Sequence, residues 1–475
     1  MMRFLTASVI VLAFSVSGCS DDSTAGGSQV SGSDSADMNG ETATEITDSD
    51  TDTETTTDTG SDTSTDSVTY ALRTEFGSVD TLEVVTESIF AIWWDPKFDH
   101  TADAPAMFEQ LERIRRDCLD NLGMRDPPNP ENGYYYNVYI HHGADDLFPQ
   151  GWGNGQGTDM YGMPFLTLPD GAHRDVGNIY HEGFHIFQYQ ANAPGFAYAG
   201  DSQWYIEATA QWYQSTNLPA DDSAFVEAGA IAANPQLTLW HSFGNEAPGD
   251  APSTNWLYGV RQYGMHTYLF YLTSQAGVNP DLITNGFYSE TTQSPQQYHF
   301  ENIGPELRGY FADWAAHNTA GFDYLTPGQV ERAQYEVDAL VELQDISDWL
   351  HPYVAVYQDE GTSGAWVRPE PVMLARGWAY NVIKVNNTDT ATYTWTFEGD
   401  ATGSEGAMAH FEIRAVVMGE NGPRYTTVMM GEDLTSTATL NVEASDSEVY
   451  FVIASVPEHF SGNQTYGYQY KLVRE

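Results

Sequence analysis

Residues 178–190 read NIYHEGFHIFQYQ, and everything else in the chain is weighed against that stretch. Its apolar positions Ile179, Tyr180, Phe184, Ile186 and Phe187 carry no charge, as a helix buried beneath a cleft requires. On an α-helix, residues four apart lie one turn apart on one face, so His181 and His185 can share a single cation. Neutral imidazoles suit Zn²⁺, and two of them leave a tetrahedral site short of ligands. Glu182 lies about 100° further round the helix, beside the water that such an ion activates, where it can take a proton. Gly183 costs about 1 kcal/mol relative to alanine inside a helix, and close approach of another backbone would explain it.

A third ligand is needed. Downstream, WYIEATA (204–210) opens a second helix after Ser202-Gln203, with Asp201 or Ser202 expected as its cap. Glu207 sits there among apolar and small residues, where an unpaired carboxylate would be costly. A metal ion removes that cost, and Ala208 and Ala210 allow the helix to press close to the first. His181, His185 and Glu207 then form a two-histidine, one-glutamate zinc site whose fourth position is open to water. A closed structural zinc site would take a fourth protein ligand, and no cysteine is suitably placed for it.

The chain has 475 residues, which predicts two folded units plus tails. Its first residues, with Arg3, the apolar FLTASVIVLAF and then VSGCS, read as a secretory signal. Val16-Ser17-Gly18-Cys19 resembles the lipobox of bacterial lipoproteins, which implies cleavage before Cys19 and a lipid on its thiol. Ser20 after it implies, by the same resemblance, the outer membrane or cell surface. No later stretch is apolar for the ~20 residues of a spanning helix. Residues 20–67 are almost wholly Ser, Thr, Asp and Gly, a self-repelling tether with nothing to bury. DSDTDTE from Asp48 imitates a calcium loop, but Thr53 stands where such a loop needs glycine.

Charge excludes one class of partner. Of 67 acidic residues, 13 lie in 20–67, and the other 54 still face only 18 Lys and Arg along the whole chain. Nucleic acid requires a basic footprint, which is missing. A surface so acidic and so poor in lysine suits salty surroundings. The two cysteines, Cys19 and Cys118, give no disulfide framework if the first carries lipid. Cys118 continues the stripe Met107, Leu111, Ile114, Leu122 and reads as a buried hydrophobe.

Order is expected from Val68. SIFAIWWD (88–95) and GYYYNVYIHH (133–142) read as strands, DAPAMFEQLERIRRDCLDNLGM (103–124) as a helix closed by Gly123, and GWGNGQGTDMYG (151–162) as a flexible rim. Helical patterns follow in 202–215, 255–277 and 304–317. Near 346–375 the pattern changes. ATYTWTFEG alternates Tyr393, Trp395 and Phe397 with threonines, and FEIRAVV, EVYFVIASV and YGYQYKLV add strands, which together predict a C-terminal antiparallel β-sandwich. The expected divisions are 1–18 signal, 19–67 tether, 68–345 the unit bearing the histidines and 346–475 the sandwich.

HEGFH followed by WYIEATA resembles the gluzincin metallopeptidases, whose third ligand is a glutamate on the next helix. SIFAIWWD, HEGFHIFQ, WYIEATAQW and QYGMHTYLFYL are similar to a set of secreted gluzincin-like proteins of bacteria and fungi, over roughly 85–330. The resemblance implies an α+β zincin-like catalytic domain, with a small mixed sheet and helices, ahead of the sandwich. It implies MPFLTLPDG (163–171) as the edge strand along which an extended peptide lies. It also implies a tyrosine or histidine that stabilises the oxyanion, with Tyr258, Tyr263 and His266 as candidates on one helix and Tyr263 preferred. One departure stands out: where gluzincins often carry an acid a turn after the glutamate ligand, this chain has Gln211. His141, His142, His173 and His241 read as surface or strand-end residues rather than ligands.

The function so implied is a lipid-anchored, exported, monomeric zinc peptidase acting on protein or peptide, with Glu182 as general base. The alternative is a non-catalytic binding module on the same scaffold, gripping glycan or protein.

Overall fold

The computed structural model describes residues 82–126, 136–142, 155–158, 163–191, 193–243, 259–341, 350–358, 364–387 and 389–475. The signal, the lipobox with Cys19, the tether, Tyr258 and the 345/346 division lie outside the described residues. The architecture is mixed α/β with three sheets and a C-terminal run of mainly antiparallel strands.

The first sheet has five strands in the order β1 (Glu83–Glu87), β2 (Phe90–Trp94), β3 (Tyr136–His141), β5 (Pro164–Pro169), β4 (Gly155–Thr158). β2, β3 and β5 run parallel, while β1 and β4 close the two edges antiparallel. The FAIWW of β2 is buried at every position, as expected of a strand covered on both faces. Phe90, Ile92 and Trp94 face the main core, and Ala91 and Trp93 pack with Tyr139 and Phe165 on the other side.

α1 (Ala104–Asp120) lays Met107, Leu111, Ile114 and the free thiol of Cys118 into that main core. Burial pushes the Cys118 thiol well above its ordinary pKa, so it behaves as the small hydrophobe its stripe suggested. α2 (Val176–Gln188) begins at Asp175, whose carboxylate accepts from the backbone N–H groups of Gly177 and Asn178. α3 (Gln203–Asn217) packs beside it, and Ala208 and Ala210 are fully buried.

Several local expectations are corrected. MPFLTLPDG is interior, since β5 pairs with β3 on one side and β4 on the other. The edge on that side is Gly155–Thr158, within the stretch read as a flexible rim. Ser202 makes no capping bond to α3, and Asp201 Oδ2 accepts instead from the backbone N–H of Gly462 at 2.9 Å. The helix expected through 255–277 is broken in its described part into Arg261–Gly264 and His266–Ser274. A Cβ on Gly264 would stand 2.3 Å from the Glu227 carbonyl oxygen, so this turn passes too close to a neighbouring backbone for any side chain.

The sandwich comprises a five-stranded sheet, β10 (Gly422–Val428), β9 (Phe411–Gly419), β12 (Glu448–Ser455), β7 (Ala379–Asn386), β6 (Ala355–Gln358), and a three-stranded one, β11 (Thr435–Val442), β8 (Ala391–Gly399), β13 (Tyr468–Arg474). All pairs are antiparallel except β6 with β7. Tyr393, Trp395 and Phe397 form the inner face of β8, with Trp395 stacked on Phe451 and Tyr470. The outer face of the larger sheet is buried too. Trp378, Tyr380, Val416, Tyr450 and Val452 join the main core against the helix Glu306–Thr319. Among the described residues no helix is long and apolar enough to cross a membrane.

Candidate metal centre

α2 and α3 bring His181, His185 and Glu207 together. One ligand atom from each lies within 4.8 Å of the other two. Glu207 Oε2 stands 3.2 Å from His181 Nε2 and 3.6 Å from His185 Nε2. All three residues are at most 1% exposed, and Glu182 is fully buried beside them.

Hydrogen bonds at the far side of each ring fix the tautomers. Gln211 Nε2 donates to the Ala224 carbonyl at 2.9 Å, so its Oε1 is the atom turned to His181. His181 Nδ1–H donates to that oxygen at 2.7 Å. Gln188 Nε2 donates to the Ile206 carbonyl and to Thr209 Oγ1, so its Oε1 likewise accepts from His185 Nδ1–H. With both protons on Nδ1, both Nε2 atoms carry lone pairs. Those lone pairs point at the oxygen of a carboxylate. Three electron-rich groups converge on one buried spot, an arrangement that a cation relieves and that neutral partners cannot. His185 Nε2 and Glu207 Oε1 are buried without a hydrogen-bond partner. The donor set fits Zn²⁺ in chemistry and number.

Gln211 therefore takes the orienting position with a neutral amide. Sequence reasoning missed Gln188 altogether, although its place three residues after His185 on one helix was legible. Gly183 does mark a close approach, but to a side chain: a Cβ there would lie 2.8 Å from Ile114 Cδ1 on α1.

Tyr263 is buried with its ring centroid 6.1 Å from that of His181. His266 Nδ1–H donates to the Tyr263 carbonyl at 2.9 Å, and burial pushes its pKa down to about 4. Neutral and protonated on Nδ1, His266 has no Nε2 proton to give to an oxyanion. His141 is the last residue of β3 and is buried, and His142 follows it. His173 and His241, expected at the surface or at strand ends, are instead buried. Burial, and then the charges of Arg261 and Arg376, push the His241 pKa well below its ordinary value.

No protein-family model matches this chain, and no curated protein matches it. Among solved structures, the pre-peptidase C-terminal domain of a collagenase from Bacillus anthracis is similar over 26% of this chain and 97% of its own. The identity is 11% and the TM-score 0.17, so this likeness carries no argument.

Proposed function

We propose that this protein is a zinc metallopeptidase with a zincin-like catalytic unit, exported and tethered through Cys19. The observation that carries the reading is the convergence of His181 Nε2 and His185 Nε2 on the buried Glu207 carboxylate, with each ring bonded through Nδ1 to a glutamine. Zinc held there supplies Lewis acidity and an acidified water. Glu182, next to His181 on α2, takes the proton of the attacking water on its carboxylate and delivers it to the leaving amine. The Tyr263 hydroxyl donates to the oxyanion that develops at the scissile carbonyl, a role the tautomer of His266 denies to that residue. Gln211 and Gln188 keep both rings turned inward.

Glu182→Gln separates the steps, because its amide cannot accept that proton. Zinc content should stay at the wild-type level while peptide hydrolysis falls by roughly 10²–10⁴-fold. Undiminished cleavage by the variant would remove Glu182 from the mechanism.

One observation favours the second reading, a non-catalytic binding module: His181, Glu182, His185 and Glu207 are all closed off from solvent. A zinc-loaded wild-type chain that cleaves nothing in a broad peptide library, at low or high salt, would end the peptidase reading and leave that one. Tethering is tested separately. Cys19→Ala should move the protein from the membrane fraction to the soluble one, and a variant that still sediments would end the lipobox reading.

A further inference from the structure

β2, β3 and β5 run parallel, and the loops that leave their carboxyl ends carry a second group of histidines and acids. Open α/β sheets present such loop clusters to ligands. The group is His100 and Asp103 after β2, His142 after β3, and Asp170 with His173 after β5. None of these residues takes part in the site on α2 and α3. His100 and His173 are buried, while Asp170 stands at the surface.

The hydrogen bonds are directional. Asp103 Oδ2 lies 3.1 Å from His100 Nδ1 and 3.3 Å from His173 Nε2. Arg174 Nε and Nη2 donate to the same carboxylate, each at 3.3 Å. Asp103 is thus the carboxylate of an ion pair with Arg174. An ionised carboxylate only accepts, so both rings donate to it. That leaves lone pairs on His100 Nε2 and His173 Nδ1. His173 Nδ1 is buried with no hydrogen-bond partner, and the nearest carboxylate oxygen, Asp170 Oδ1, stands 3.9 Å away. His142 Nε2–H donates to His100 Nε2 at 2.9 Å, a proton that an entering ion displaces, and Phe98 stacks on the His142 ring with centroids 3.5 Å apart.

We infer that His100, His173 and Asp170 form a second binding site for a divalent ion of the zinc type. His142 is placed to fill a fourth position, and Asp103 holds two of the ligand rings from behind. Ligand atoms of His100, Asp170 and His173 lie within 4.8 Å of one another. Ions bound at about 2.0–2.1 Å by nitrogen and oxygen require ligand separations of about 3.3 Å, which small side-chain movements provide. The donor set is the borderline one that zinc selects over calcium or magnesium. A carboxylate that accepts from the distal nitrogens of two ligand histidines is the arrangement that raises their basicity. Asp103, Asp170 and Arg174 together carry one net negative charge, which a divalent cation more than offsets. Arg174 also bonds Asp170 from the solvent side, at 3.3 Å, and yields that oxygen when the ion binds.

The test is zinc stoichiometry of the full-length, untagged chain, stripped with chelator, reloaded with zinc alone and measured by elemental analysis after gel filtration. Two ions per chain are expected. Asp170→Asn, at the surface and so harmless to folding, should weaken one of them by roughly tenfold or more, and His173→Gln should abolish it. The double variant His181→Ala/His185→Ala should keep that ion and lose the other. Stoichiometry unchanged in both Asp170→Asn and His173→Gln would overturn the inference, as would a wild-type chain whose single ion disappears in the His181/His185 variant. A single ion lost only in His173→Gln would uphold this site and sink the one on α2 and α3, so the two claims fail separately.

Discussion

Gln188 and Gln211 show how much depends on which atom of one amide faces a ring. Each spends its NH₂ on a carbonyl or hydroxyl of the scaffold and so offers its oxygen to a histidine. The carbonyl of Ala224 accounts for glutamine at position 211: a carboxylate there would face that carbonyl as a second acceptor. Gln211→Leu should therefore weaken zinc binding about 10–100-fold without opening the core. Competitive titration against a zinc chelator measures this, and unchanged affinity would mean that His181 is not a ligand held by that amide. The residue motif was legible because H-E-x-x-H is local, one helical turn and its neighbour. Gln188 shared that locality and was overlooked, whereas the role of Gln211 depends on Ala224, thirteen residues along in a different element.

Elements meet elsewhere with charges they do not neutralise. The 3₁₀ segment Asp222–Ala228 carries Glu227 against the helix Pro327–Val341, which carries Glu336. Oε2 of each is buried without a hydrogen-bond partner. Burial raises both carboxyls to about 7, and Glu336 adds to the rise at Glu227. Because the folded values lie above the unfolded ones, the native state holds these protons more tightly. Their contribution to stability is full below about pH 4.5 and is lost as the pH climbs through 7. Glu227→Gln should flatten that decline and stabilise the fold at pH 8 by on the order of 1–2 kcal/mol, with little change at pH 5. Thermal melts across that range would refute the assignment if the variant kept the wild-type slope. At this scale periodicity located β2, β3, α1, α2 and α3 to within a few residues. It failed at 255–277, where the helical pattern is unbroken but the described part divides at Met265, next to a Gly264 whose side-chain space the Glu227 carbonyl occupies.

At the scale of the whole molecule, the sandwich is joined to the rest by core as well as by chain. Phe311 and Trp314 of the helix Glu306–Thr319 pack on Trp378 and Tyr380, and Arg414 of β9 bonds Asp313 and the Gly309 carbonyl. Leu239 N–H donates to the Trp378 carbonyl and Tyr380 N–H to that of Pro235. A chain cut after residue 341 would expose this apolar face and lose those bonds, so it should aggregate rather than fold. Limited proteolysis of the intact protein should release no stable fragment ending near 345. A soluble, cooperatively melting truncated chain would contradict this.

The amino-acid sequence by itself determined the features that repeat at short range: the histidine pair and its glutamate, the helix bearing Glu207, the alternation in β8 and the buried stripe ending in Cys118. Each is set by the period of a single element, 3.6 or 2 residues, and needs no partner to be read. Tertiary structure alone decided what depends on two elements arriving at one place. It made β5 an interior strand and Gly155–Thr158 the edge on that side. It buried the outer face of the sandwich, where the continuous apolar run of EVYFVIAS already hinted at two covered faces. It also gathered His100, Asp103, His142, Asp170 and His173 from three loops, across a sequence separation of seventy residues that no periodicity spans.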